Sequence, residues 1–86
     1  MTNEKTEQVA SVIERNIKAA RKKLIWELED LREITDMLHK VAVDDSRHNL
    51  EFGFQSLAAN GIRAETQRAK LSALIELQND LEKVTA

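Results

Sequence analysis

Apolar residues recur at alternating spacings of three and four along the first half of this chain: Ala10, Ile13, Ile17, Ala20, Leu24, then Leu31, Ile34, Leu38 and Val41. Read by sevens they form two rows. One holds Ala10, Ile17, Leu24, Leu31 and Leu38; the other holds Ile13, Ala20, Glu27, Ile34 and Val41. A heptad sustained over this length predicts a long helix over about 3–43 with a coiled-coil-like seam. Ile25, Leu28 and Met37 widen the stripe beyond two positions, which favours a multi-helix bundle over a two-stranded zipper. Thr2 or Asn3 is suited to cap the start, and Glu4 and Glu7 suit the positive end of the helix dipole.

The pattern breaks at Asp44-Asp45-Ser46-Arg47-His48-Asn49, a polar cluster rich in N-cap residues. A turn is expected over about 44–47, followed by a second helix over about 46–84. Leu50, Leu57, Ala64 and Leu71 again fall seven apart, with Leu74 and Leu81 on a companion row. Phe54, Ile62, Ile75 and Leu77 broaden that face. Asn60-Gly61 offers a possible break, with Ile62 as the apolar contact of a C-terminal cap. The sevenfold row keeps phase across it, however, and no good N-cap follows. One helix with a tolerated glycine is the better reading, at about 1 kcal/mol relative to alanine. The expected fold is all-α: a two-helix antiparallel hairpin, forming one helical domain over residues 1–86.

Composition sharpens this picture. Proline is absent and only Gly53 and Gly61 are glycine, as in long helices and coiled coils. A chain of 86 residues is short of core, and with no cysteine it has no disulfides or thiolate-bound zinc to compensate. Regular helix packing and oligomerisation remain. Two rods of about 60 Å each bury only one stripe apiece, so the widened stripes are expected to be covered by dimerisation into a four-helix bundle.

Charge suggests how two copies would meet. Arg15, Lys18, Arg21, Lys22 and Lys23 form a basic block, while Glu27, Glu29, Asp30, Glu33 and Asp36 follow with Arg32 the lone base among them. Two such helices laid antiparallel and centred near Ile25 bring Lys23 to Glu27 and Arg21 to Glu29; a parallel pair stacks like on like. Self-association is therefore expected around Ile17, Arg21, Lys23, Leu24, Ile25, Trp26, Glu27, Leu28 and Leu31. Glu27, Asn60, Gln67 and Gln78, on or beside the seams, read as residues that fix alignment. The hairpin itself brings Lys70 near Arg21 and Arg68 near Lys23, a mild conflict.

Candidate chemistry is sparse. Asp36-x-x-His39 and Asp45-x-x-His48 each place two metal-binding groups on one helical face, but no inward glutamate completes a bundle-type di-metal set, and no metal or cofactor is expected. The hydroxyl side chains have no positioned base, apart from Ser46 beside His48, and no glycine-rich phosphate loop is present. Arg15, Lys18 and Lys22 are possible contacts to a partner or to phosphates. A net charge of −2 and the lack of stacking aromatics in that block weigh against nucleic acid. No apolar run suggests a signal peptide or a membrane span, so a cytoplasmic location is expected. The function expected is a non-enzymatic helical protein–protein interaction module, an adaptor, assembly chaperone or inhibitor working as a homodimer with an unidentified protein partner. The alternatives are a nucleic-acid-associated regulator using the Arg15–Lys23 block and a structural subunit that polymerises.

Overall fold

A computed structural model describes residues 4–44 and 47–85, apart from the side chains at 44, 47–49 and 85. Two helices account for all of them: α1, Glu4–Asp44, and α2, Arg47–Thr85. They pack against each other as an antiparallel hairpin. Each boundary lies within a residue or two of the one read from the pattern; the helices run on to Asp44 and begin again at Arg47, so the link is shorter than expected. Capping by Thr2 or Asn3 lies outside the described residues. Glu4 and Glu7 sit in the first turn of α1, and Lys83 in the last turn of α2. Both suit the helix dipoles, and both belong to the open end of the hairpin.

The helix α2 runs unbroken through Asn60-Gly61. Asn60 contributes to this continuity: its Nδ2 donates to the Ser56 carbonyl at 2.9 Å, and its Oδ1 accepts from Arg63 Nη1 at 3.3 Å. An asparagine bonded to the turn before it holds a helical conformation that it would otherwise leave. Thr35 and Thr66 likewise donate to the carbonyls of Leu31 and Ile62.

Register is fixed by a close approach. Gly53 lies on the companion row of α2, and a Cβ placed there would overlap the Cδ2 methyl of Leu38 and lie 3.0 Å from its Cγ. Leu38 thus fills a hole that only glycine leaves open, a knob in a coiled-coil hole. Stepping by heptads from this contact puts Ile34 level with Leu57, Leu31 with Asn60, Glu27 with Ala64, Leu24 with Gln67, Ala20 with Leu71 and Ile17 with Leu74. The far end agrees, since Val9 and Ile13 line one groove with Leu77 and Leu81.

The resulting core is thin. Ile13, Ile17, Ala20, Leu38 and Ala64 are its buried apolar members among the described residues, and none is wholly shielded. The molecule measures 67 × 14 × 14 Å with a radius of gyration of 19.2 Å, against about 12 Å for a compact chain of this length. It is a rod one helix deep, with two long flanks open to water.

Candidate interaction surface

The seam consumes part of the stretch expected to self-associate. Ile17 is buried against α2, and Leu24, Glu27 and Leu31 are half-buried on the same seam. Arg21 and Lys23 are exposed. Ile25, Trp26 and Leu28 keep 54%, 53% and 51% of their surface in water. The exposed apolar groups lie on the two flanks because they occupy heptad positions beside the seam rows. A lone hairpin has nothing to place over those positions.

The basic block is solvent-facing throughout: Arg15, Lys18, Arg21, Lys22 and Lys23 are all exposed. Lys22 reaches toward the next turn, its Nζ 5.2 Å from the centre of the Trp26 ring. This cation–π contact is worth about 0.5–1 kcal/mol at an exposed site, and it holds the indole along the rod surface. The conflict expected between the helices is relieved for Arg68 only. Lys23 shares a groove with Lys70, whereas Arg68 turns to its own helix, donating through Nε and Nη2 to Glu65 at 2.8 and 2.6 Å and through Nη1 to Ser72 at 3.3 Å. The fork-shaped bond from Arg68, aided by its charge, lowers the Glu65 carboxyl below its ordinary value, and the same pair raises Arg68.

Glu27 is the odd member of the seam. Its Oε2 is buried without a hydrogen-bond partner, level with Ala64, which offers nothing polar. Asn60, one layer away, has its amide engaged on its own helix.

Two grooves run along one flank. The larger, about 620 Å³, opens at the free end of the hairpin on an apolar floor of Val9, Val12, Ile13, Leu77, Leu81 and Val84, with Lys5 and Asp80 at its rim. The smaller, about 400 Å³, lies further along between Ala19, Ala20, Ala73 and Leu74, edged by Lys23 and Lys70. The larger groove escaped the sequence reading. Val9 and Leu77 each stand one position before a seam residue, Ala10 and Gln78, so their shared flank becomes visible only once the two helices are in register.

For metal chemistry, Asp36 and His39 are both exposed on α1, and no group of three or more His, Cys, Asp or Glu side chains could hold an ion among the described residues. The Asp45–His48 spacing lies outside the described residues. No helix among them is long and apolar enough to cross a membrane. Comparison with protein-family models, curated proteins and solved structures gives no match to this chain.

Proposed function

We propose that this chain is a small, non-enzymatic helical module for protein–protein interaction, acting as an adaptor, assembly chaperone or inhibitor in the cytoplasm. It works as a homodimer in which two hairpins close into a four-helix bundle. The observation that carries this reading is the apolar surface left on a folded hairpin: Ile25, Trp26 and Leu28 half in water at mid-rod, and an apolar groove at the open end. Large apolar side chains left exposed on both flanks of a folded rod favour association. Each buried side chain of this size contributes roughly 1.5–3 kcal/mol.

Sedimentation equilibrium tests the homodimer directly. A mass twice the 9.8 kDa of the chain at micromolar concentration supports it. A helical species that stays monomeric at several hundred micromolar refutes it. Trp26, the single tryptophan, reports the same event through a blue shift of its emission with concentration.

One observation favours a second reading. Lys70 joins Lys23 at the edge of the smaller groove, extending the Arg15–Lys23 block onto α2 as a track for phosphates. Under this reading Lys18→Glu with Lys22→Glu abolishes salt-sensitive binding of DNA or RNA and leaves the oligomeric mass unchanged.

A further inference from the structure

The flank that holds the open-end groove carries a matching apolar feature near the joined end. Met37 stands four heptads beyond Val9 on α1, and Phe52 four heptads before Asp80 on α2. Since Val9 and Asp80 line the groove, Met37 and Phe52 lie on the same flank. They are 41% and 64% exposed, Met37 with its terminal methyl turned back to 3.6 Å from where a Cβ on Gly53 would stand. One end of the flank is therefore a groove and the other an apolar ridge from which Phe52 stands out furthest.

We propose that a second copy of this chain seats on this flank, antiparallel, so that Met37 and Phe52 of each copy enter the Val9–Val12–Leu77–Val84 groove of the other. This deepens the homodimer reading and rests on it. Two unrelated features set the same two-fold axis. The charge boundary falls between Lys23 and Glu27, centred on Ile25. The midpoint between the groove on α1 (Val9 to Val12) and the ridge (Met37) falls beside Leu24. At 1.5 Å per residue the arms on either side of the axis are each about 20 Å. A parallel stack would instead set groove on groove, ridge on ridge and base on base.

This arrangement brings Lys23 of the second copy beside the half-buried Glu27 and sets the two Trp26 rings beside the axis. A face 67 Å long and 14 Å wide matches the roughly 800 Å² per partner that stable interfaces bury.

Cysteine pairing tests the geometry, because the chain has no cysteine of its own. Val12→Cys and Met37→Cys variants are prepared separately, checked for helicity by circular dichroism, mixed in equal amounts and oxidised. Positions 12 and 37 are about 37 Å apart along one helix, far beyond the 7 Å that a disulfide spans, so a V12C–M37C bond must join two chains. The expected result is a covalent V12C–M37C dimer in the mixture and little cross-linking of either variant alone. A second measurement follows the charges: Lys23→Glu weakens dimerisation about tenfold, each contact counting twice about the axis, and K23E combined with E27K restores it. A dimer mass with V12C–V12C or M37C–M37C bonds, or with none, overturns this interface and leaves the homodimer standing. A monomer throughout overturns both.

Discussion

Gly53 and Gly61 lie in one helix and are expected to respond to alanine in opposite ways. Intrinsically each exchange should stabilise, since glycine in a helix interior costs about 1 kcal/mol relative to alanine. At Gly61 nothing stands within 4 Å of an added methyl, so Gly61→Ala keeps the whole gain. For a domain of this size that is a rise in Tm of about 4–8 °C. At Gly53 the methyl would overlap the end of Leu38, which is only 7% exposed, and would touch the Met37 methyl. Overpacking of this kind costs about 1–3 kcal/mol, so Gly53→Ala is expected to be neutral at best and to destabilise by as much as about 2 kcal/mol. The background tells the two effects apart. Leu38→Ala alone costs about 2–5 kcal/mol through the cavity it opens. Once that space is vacant, adding Gly53→Ala should raise stability, a coupling of about 1–3 kcal/mol. Thermal and urea melts at one fixed protein concentration measure all five proteins, because any self-association would make Tm concentration-dependent. A Gly53→Ala protein that gains as much as Gly61→Ala would show that Leu38 does not sit in the glycine notch and that the register drawn from it is wrong.

Other outcomes follow from burial and charge. Ile17→Ala removes a core side chain and should cost about 2–4 kcal/mol in urea melts, while Ile62→Ala, at a site 70% exposed, should stay within about 0.5 kcal/mol of the parent. Glu27→Leu replaces an unpartnered seam carboxylate by an apolar group, and in dilute protein it should raise stability by about 1 kcal/mol or more; a loss of stability there would mean the carboxylate is already paired within the hairpin. The Glu65–Arg68 pair gives a pH signature. Because the Arg68 bond lowers Glu65 below its ordinary 4.5, the pair's contribution is fully present above that value and is lost as pH falls through the depressed one. Carbon-13 titration of the Glu65 carboxyl should show this, and Arg68→Ala should return it to the ordinary range. An unchanged titration would remove the pair from the account.

Most of the architecture was legible in the primary structure because it rests on period alone. Sevenfold rows from Ala10 to Leu38 and from Leu50 to Leu71 define two helices and their inner faces, and the phase kept across Asn60-Gly61 correctly indicates an unbroken α2. The close packing was harder to read. Gly53 belongs to the row of Leu74 and Leu81, yet a glycine at a seam position looks like a gap until Leu38 is seen to fill it. The conflict expected between Arg21, Lys23, Arg68 and Lys70 came from axial level only; the side of the rod and the local Glu65 partner decide the outcome. Grooves depend on two helices at once, so Val9 and Leu77, 68 positions apart in the chain, carry no joint signal along it.

The hairpin connection has a consequence for how the rod comes together. At the joined end Val41 and Leu50 face each other across nine positions, while at the free end Ala10 and Leu81 are separated by 71. Closing the longer loop outright costs about 2 kcal/mol more in chain entropy. Chain entropy therefore favours zipping from Leu50 outwards and, in reverse, parting first at the free end, which carries the apolar groove. Any molecule lodged there acts as a clasp on the point of first opening. In an antiparallel pair, the firmly closed tip of each rod is what clasps the loose tip of the other.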